Sequence, residues 1–208
     1  MTTVYLIRHG EISQSKKVVF VGQRNLLLTE RGREQIARLA DFLTSRAISK
    51  VLCSPLSRCV ESAGILCASL GGVPETVPGL QEIALGAWEG LSVDEIQALF
   101  PGCYEARGRN LAEFRPSGGE SFNDLLNRVW PIFETIVHGM DERIAVVAHA
   151  GVNRVILCRI LNIPLENLLR LEQYYGCLNV IHHTSSGYRV ESINSCLWPT
   201  YELHSSSS

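Results

Sequence analysis

The chain has 208 residues, of which 46% are hydrophobic and 19% are charged, and its formal net charge at pH 7 is −2. This composition is typical of a globular protein with one sizeable core. The small net charge gives no electrostatic reason to expect nucleic acid or a membrane as the main partner. An anion site would have to depend on a local cluster of arginine and histidine side chains.

The seven cysteines are interpreted as free thiols. Their spacing is irregular, and several lie inside apolar runs such as KVLCSP and RVILCRIL. Buried free cysteines behave as small hydrophobic residues and are typical of a reducing compartment. The apolar stretch before Arg8 is too short for a signal peptide, and no run approaches the ~20 residues that span a bilayer. We therefore expect a cytoplasmic protein.

The first half of the chain alternates strands with helices. In chain order we predict the strand TVYLI, a loop over residues 10–28, a helix over 29–46, the strand KVLCSP, a helix over 57–70, an irregular stretch over 74–90 and the short helix SVDEIQALF. Thr29 is a suitable N-cap for its helix. The apolar face of that helix is formed by Ile36, Leu39, Ala40 and Leu43.

In the second half we predict a polar loop over residues 101–120, the helix SFNDLLNRVWPIFETIVHGM, the strand RIAVVAHAG, the helix VNRVILCRIL, and the strands CLNVIHH and YRVESI joined by TSSG. Ser121 and Asp124 resemble a capping box, and Pro131 predicts a kink or a break. The alternation predicts an α/β fold, a mainly parallel sheet of about six strands with helices on both faces. We expect one domain over residues 1–200, with a loop and helix insertion at about 81–120, and a tail over 201–208.

Three predicted strands end in polar side chains. Arg8 and His9 follow the first strand, Arg58 follows the second, and His149 and Ala150 follow RIAVVA. Ligands of α/β sheets bind at the carboxyl ends of the strands. Arginines and a helix N-terminus at one such edge favour an anion, most plausibly phosphate.

Two other kinds of site are disfavoured by the same residues. A metal site does not fit, because the arginines would repel a cation and no carboxylate or cysteine has ligand spacing around the histidines. A serine hydrolase does not fit either, since Ser54 lacks the G-x-S-x-G turn.

Four segments in this order, LIRHGE, LCSPLSRCVESA, LQEIALGAWEG and VVAHAGVNR, resemble the histidine phosphatase (phosphoglycerate mutase-like) superfamily. The resemblance covers roughly residues 4–193 and implies a phosphoglycerate mutase-like fold. HAG after the second histidine, rather than His-Asp, is similar to the mutase and cofactor-independent phosphatase branch. The resemblance implies chemistry without a metal or cofactor.

The resemblance also implies a role for each residue of the constellation. His9 would attack phosphorus and become a phosphohistidine. Arg8, Arg58 and His149 would bind the phosphoryl oxygens. Glu82 would protonate the leaving alkoxide and then deprotonate the water that frees the enzyme.

The loop after the first strand departs from the family. Ser15 stands where the family often has asparagine, and Val21 stands where it often has serine. Both differences remove polar contacts to substrate. Gly22 would still offer its backbone amide, Gln23 is a replacement contact, and Ala150 is a further candidate for substrate binding.

Short segments favour a phosphatase over a mutase. LGAWEGLSVDEIQALFPG lacks the long basic and aromatic insertion of the family's phosphoglycerate mutases, and LEQYYGCLNVIHH resembles α-ribazole phosphatases. The best hypothesis is therefore an α-ribazole-5′-phosphate phosphatase of cobalamin biosynthesis. The alternatives are a broad sugar-phosphate or fructose-2,6-bisphosphatase-like enzyme, a mutase, or a protein that only binds a phosphorylated ligand.

A substrate with a flat apolar base needs an apolar wall. Trp88, Tyr104 and Phe114 are candidates for it, although Trp88 could instead pack the insertion onto the sheet. Three arginines either reach a second anionic group or face solvent, namely Arg107, Arg109 and Arg115. The expected partner is a small phosphomonoester, and a homodimer is left open.

Overall fold

Within residues 1–13, 17–138 and 142–198, which this computed structural model describes, six strands form one mixed sheet. They are β1 (Thr2–Arg8), β2 (Lys50–Cys53), β3 (Glu75–Thr76), β4 (Arg143–Ala148), β5 (Leu178–Thr184) and β6 (Gly187–Ser195). Their spatial order is β3-β2-β4-β1-β5-β6. The pairs β3–β2, β2–β4 and β4–β1 are parallel, whereas β5 is antiparallel to its neighbours β1 and β6. The sheet is therefore mainly parallel, as predicted.

Helices cover both faces of this sheet. In the described ranges they are α1 (Glu30–Leu43), α2 (Ser57–Leu70), α3 (Val93–Leu99), α4 (Cys103–Arg109), α5 (Phe122–His138) and α6 (Ala150–Leu161). Val4 and Leu6 of β1 pack into a core with α5 and α6, whereas Tyr5 and Ile7 pack into a core with α1 and α2. Because β1 is covered on both faces, its central residues Val4–Ile7 form a continuous apolar run rather than an alternating pattern.

The register of the parallel strands brings their polar ends to one edge. The amide of His9, just after β1, donates to the carbonyl of Ala148 at the end of β4 (3.1 Å). The amide of Ser54, just after β2, donates to the carbonyl of Val147 (3.0 Å). The segments that follow β1, β2 and β4 therefore leave the sheet side by side.

Two predicted helix starts are confirmed. The Thr29 hydroxyl accepts a hydrogen bond from the Gly32 amide (3.0 Å) and caps α1. Before α5, the Ser121 hydroxyl accepts from the Asp124 amide (3.1 Å), and the Asp124 carboxylate accepts from the Ser121 amide (2.9 Å). Such caps provide acceptors for amides that have none within the helix.

Two predictions of local structure are wrong, and of the kink or break expected at Pro131 the break does not occur. The expected loop over residues 101–120 contains α4, which buries no residue and so has no apolar pattern in its sequence. The irregular stretch over 74–90 contains β3, a two-residue strand with exposed side chains. No break occurs at Pro131, because α5 continues through it and is anchored by Val129 and Phe133, both 0% exposed.

The segment that was predicted as an insertion shares the core on the α5 and α6 side of the sheet. Its buried side chains there include Ile83, Leu85, Trp88, Ile96 and Leu111. The seven cysteines are free thiols, as predicted. Among the described helices, none combines the length and the apolar character needed to cross a membrane. The expected tail, residues 201–208, lies outside the described residues.

Candidate active site

A cleft of about 240 Å³ opens at the edge where β1, β2 and β4 end. Five of the residues predicted for the site line it: Arg8, His9, Gly22, Arg58 and Glu82. The rest of the lining is apolar or aromatic: Ile12, Val19, Phe20, Val21, Ile83, Leu85 and Tyr175. The cleft thus combines a charged floor with an apolar wall.

His9 is buried (3% exposed) at the floor of this cleft. Its Nδ1 lies 2.8 Å from the carbonyl oxygen of Gly10, which can only accept a hydrogen bond, so Nδ1 carries the proton. Burial, and then the charges of Arg8 and Arg58, hold the pKa of His9 well below its usual value. The ring is therefore neutral at pH 7 with a lone pair on Nε2, which is the form a nucleophile needs.

Arg8 is held from the side by the segment before β5. Its Nη1 donates to the Gln173 carbonyl (2.5 Å), and its guanidinium carbon lies 3.8 Å from the centre of the Tyr175 ring. Its Nε is buried and has no hydrogen-bond partner among the described residues. Stacking on Tyr175 fixes the plane of the guanidinium beside His9.

Arg58 is 1% exposed and is bound through all three of its nitrogens. Nη1 donates to the Arg24 carbonyl (2.6 Å), Nη2 donates to the Gly22 carbonyl (2.8 Å), and Nε donates to His149 Nδ1 (3.2 Å). Gly22 has a positive φ of 53°, and a Cβ at that position would collide with the Glu89 carboxylate. Only glycine therefore places this carbonyl toward Arg58 without strain.

His149 lies behind the floor of the cleft and does not line it. Its ring is fully buried and meets the His9 ring edge to face, with centroids 5.3 Å apart. Since Nδ1 accepts from Arg58, the neutral ring carries its proton on Nε2, which lies 2.8 Å from the Ser54 hydroxyl oxygen. Burial, followed by the effect of His9, holds the pKa of His149 well below its usual value.

Glu82 lines the cleft from the segment between β3 and α3. Its Oε1 accepts from the Ile83 amide (2.9 Å), and its Oε2 accepts from the Gly151 amide in the first turn of α6 (3.1 Å). A Cβ at position 151 would collide with this carboxylate. Glycine at this position therefore lets the positive end of α6 approach Glu82.

Two further residues predicted for substrate binding, Gln23 and Ala150, do not line the cleft. Gln23 donates from Nε2 to the Glu82 carbonyl (2.9 Å), so it supports the backbone of Glu82. Ala150 is the first residue of α6 and is half-buried. Ser15 lies outside the described residues.

None of the three aromatic candidates for the wall, Trp88, Tyr104 and Phe114, lines the cleft, and the alternative that Trp88 packs in the core is confirmed. Trp88 is 1% exposed and packs on Phe114, with ring centroids 5.2 Å apart, behind the cleft. The wall is instead formed by Phe20 and Tyr175, and Trp88 supports Phe20 from behind (5.6 Å). The apolar triplet VVF, residues 18–20, is the signal in the sequence that identifies part of this wall.

None of the three arginines of residues 101–120 lines the cleft. Arg115 pairs with Asp124 at the start of α5, and Arg107 lies near the Phe20 and Phe122 rings. Arg109 is exposed. In the ranges that the structure describes, no group of three or more His, Cys, Asp or Glu side chains is arranged to hold a metal ion.

Known proteins resemble this chain in sequence and in fold. Chicken (Gallus gallus) 6-phosphofructo-2-kinase/fructose-2,6-bisphosphatase is 32% identical over 188 residues, which are 84% of this chain but 38% of that protein. Glucosyl-3-phosphoglycerate phosphatase of Mycolicibacterium vanbaalenii is 30% identical over 171 residues, 78% of this chain and 75% of that one. The crystal structure of α-ribazole phosphatase from Shigella flexneri matches with a TM-score of 0.85 at 25% identity, over 93% of this chain and 96% of that one.

The chain spans well under half the length of the bifunctional relative that it matches. A family model described as the histidine phosphatase superfamily (branch 1) matches residues 4–196. That match contains β2, β4 and all of β1 except its first two residues, together with every residue that lines the cleft. The chain therefore belongs to the histidine phosphatase superfamily, branch 1.

Proposed function

We propose that this protein is a metal-independent phosphoric monoester hydrolase that works through a phosphohistidine on His9. The observation that carries the proposal is the state of His9, which is neutral, is bound through Nδ1 to the Gly10 carbonyl and has its Nε2 lone pair available. Two arginines and one carboxylate line the same cleft. A nucleophile, charges for an anionic transition state and a proton carrier are therefore together.

In the first half-reaction, His9 Nε2 attacks phosphorus and the bond from phosphorus to the ester oxygen breaks. Arg8 and the remaining N–H groups of Arg58 stabilise the phosphoryl oxygens, and protonated Glu82 gives its proton to the leaving oxygen. In the second half-reaction, ionised Glu82 takes a proton from water, whose oxygen attacks phosphorus while the phosphorus–nitrogen bond breaks. The products are an alcohol and inorganic phosphate, and the enzyme is regenerated.

His149 supports this chemistry through Arg58. It accepts from Arg58 Nε, and its own Nε2–H points to Ser54. For His149 to donate to a phosphoryl oxygen, as the sequence predicts, that N–H would have to leave the Ser54 hydroxyl. The contacts present therefore favour orientation of Arg58 as its principal role.

The cleft favours a substrate with a single phosphate and an apolar leaving group. Among the described residues that line it, the cationic ones are Arg8 and Arg58, both next to His9, and the remainder of the wall is apolar. A second phosphate, as in fructose 2,6-bisphosphate, would find no further cationic side chain among the described residues of the lining. We therefore propose α-ribazole 5′-phosphate, whose flat base suits Phe20 and Tyr175, as the substrate.

Similarity to an α-ribazole phosphatase and to a glucosyl-3-phosphoglycerate phosphatase supports the assignment as a phosphoric monoester hydrolase, and the first similarity also supports the proposed substrate. Similarity to the glucosyl-3-phosphoglycerate phosphatase makes a sugar-phosphate phosphatase the second candidate function. The free thiols support a reducing, cytoplasmic location. A homodimer stays a prediction.

One experiment tests both the chemistry and the substrate. Wild-type protein, His9→Ala and the matched control His138→Ala, an exposed histidine at the end of α5, are assayed with EDTA on four phosphate esters. These are p-nitrophenyl phosphate, α-ribazole 5′-phosphate, glucosyl-3-phosphoglycerate and fructose 2,6-bisphosphate. We expect hydrolysis by wild type and control, loss of several orders of magnitude in His9→Ala, and the highest kcat/KM for α-ribazole 5′-phosphate.

Acid quench during turnover should also trap a phosphoryl group on wild-type protein but not on His9→Ala. Turnover retained by His9→Ala would refute the nucleophile. A higher kcat/KM for the sugar phosphates would replace the substrate while leaving the chemistry intact.

A further inference from the structure

Arg128 of α5 holds the backbone of the segment that carries Glu82, residues 79–84. Its Nη1 donates to the carbonyls of Gly79 (2.8 Å) and Gln81 (3.1 Å), and its Nη2 donates to the carbonyl of Glu82 itself (3.3 Å). The segment begins inside the short 3₁₀ turn Pro78–Leu80 and ends before the next one, Gly86–Trp88. These three carbonyls are thus joined by a single guanidinium group.

Glu120 completes this arrangement. It accepts from Arg128 through both carboxylate oxygens, Oε1 from Nε and Oε2 from Nη2, each at 2.8 Å. The same Oε2 accepts from the Ala84 amide (2.9 Å), and the Glu120 amide donates to the Ala84 carbonyl (2.7 Å). Residues 79–84 are therefore bound through their carbonyls by Arg128 and at their far end by Glu120.

Arg128 and Glu120 lie outside the cleft, and Arg128 projects from a helix that is packed firmly in the core. Neither lines the cleft, and both are half-buried. The neighbours of Arg128 on α5, Leu125 and Val129, are both 0% exposed in the core. The helix cannot shift without disturbing that core. Arg128 therefore holds the backbone of Glu82 at a fixed position relative to α5.

We propose that Arg128, together with Glu120, is a positioning residue for the proton transfer by Glu82. The inference rests on the proposed function, in which Glu82 protonates the leaving oxygen. Arg128 touches neither substrate nor the reacting atoms, and it acts by fixing where the Glu82 carboxyl lies. A displacement of about 1 Å in such a group can cost about a hundredfold in rate.

This role has a kinetic signature that a general loss of structure lacks. Proton donation helps most when the leaving oxygen is basic, and it helps little when the leaving group is already a stable anion. Phenyl phosphate and p-nitrophenyl phosphate present similar rings to the cleft but differ greatly in the basicity of the leaving oxygen. Their ratio of kcat/KM reports on acid assistance in the step that forms the phosphohistidine.

The test compares Arg128→Ala and Arg128→Lys with Glu82→Gln and with the control Arg115→Ala. Arg115 also pairs with a carboxylate of α5, Asp124, but forms no hydrogen bond or ion pair with residues 79–84. We expect Arg128→Ala to lower kcat/KM for phenyl phosphate about tenfold to a hundredfold, and for p-nitrophenyl phosphate less than about threefold. Arg115→Ala should leave the ratio unchanged.

Arg128→Lys keeps the positive charge and replaces Arg128→Ala in the same kinetic comparison if Arg128→Ala does not fold. One ammonium group cannot reach three carbonyls and both Glu120 oxygens, so an intermediate change in the ratio is expected. Adding Arg128→Ala to Glu82→Gln should not change the ratio of kcat/KM for the two esters any further, because both substitutions act on the same proton transfer. If the double variant changed this ratio by the combined effect of the two single substitutions, the inference would be contradicted.

The outcomes separate the two proposals. If Glu82→Gln is selective for phenyl phosphate while the Arg128 variants slow both esters equally, the positioning role is overturned and the proposed function stands. If Glu82→Gln itself shows no selectivity, the acid assignment in the proposed function fails, and the role of Arg128 fails with it.

Discussion

His9 and His149 make the stability of this protein sensitive to mild acid. Both rings are buried, at 3% and 0% exposure, and the pKa of each is held well below its usual value, chiefly by burial. In the unfolded chain both titrate near the ordinary value of about 6.5. Below that pH the unfolded state binds protons that the folded state excludes, so the free energy of unfolding falls as pH falls toward the lowered pKa values.

The size of this effect follows from the linkage between proton binding and folding. Each histidine contributes up to about 1.4 kcal/mol per pH unit well below its unfolded pKa, so integration from pH 6.5 to pH 5 gives a loss of up to about 3 kcal/mol for the pair. A domain has only about 5–15 kcal/mol of stability in total. The pKa of His183 is also lowered by partial burial and adds a smaller loss of the same sign.

Urea unfolding followed by circular dichroism at pH 7, 6 and 5, without phosphate, measures this loss. His9→Gln and His149→Gln each remove one titrating ring, so each should reduce the pH dependence by about half. His138→Gln replaces an exposed histidine beside the His183 ring and is the control, so it should change the pH dependence far less than His9→Gln or His149→Gln, through the small contribution of His183 alone. Equal stability at pH 7 and pH 5 would refute the reasoning, and so would an unchanged pH dependence in the His9 and His149 variants.

Two further predictions concern the walls of the cleft. The Oε1 of Glu89 accepts from the amides of Gln23 (2.9 Å) and Leu85 (3.2 Å), so Glu89→Ala should raise KM about tenfold, whereas Glu89→Gln, which keeps an acceptor oxygen, should raise it less. Steady-state kinetics check this, and equal KM values for wild type and Glu89→Ala would contradict it. Tyr175→Ala removes the ring under Arg8 and should weaken inorganic phosphate binding about fivefold, whereas Tyr175→Phe keeps the ring and should bind as wild type does. Calorimetric titration distinguishes the two variants, and similar affinities would exclude a contribution of the ring.

The framework of the site could be predicted because it depends on local signals. Apolar runs followed at once by Arg8-His9 and by His149 mark strands that end at a ligand edge, and parallel register then brings those ends together. Glu82 needed the resemblance to a family, because its segment has no regular pattern. Its carboxylate is placed by the Gly151 amide, a contact between residues 69 positions apart.

Other features depend on contacts that no local pattern encodes. Arg8 is bound by the Gln173 carbonyl, 165 positions away, and the Tyr175 ring reaches the cleft through that same connection. Whether His149 points to the cleft or to Ser54 depends on which nitrogen faces Arg58. α4 escapes prediction for a different reason, since this seven-residue helix has no fully buried side chain and therefore no regular apolar face.

The arrangement of Arg58 has a consequence for the balance between stability and affinity. A free arginine side chain carries about 2 kcal/mol of rotamer entropy, and here three protein acceptors have already restricted it. That entropy is lost when the chain folds, so an incoming anion meets a preorganised group and does not bear the ordering cost itself. Mutations that loosen residues 22–24 should therefore weaken anion binding without increasing the free energy of unfolding. The Arg58 side chain would then be mobile in the free protein, and the anion would have to order it on binding.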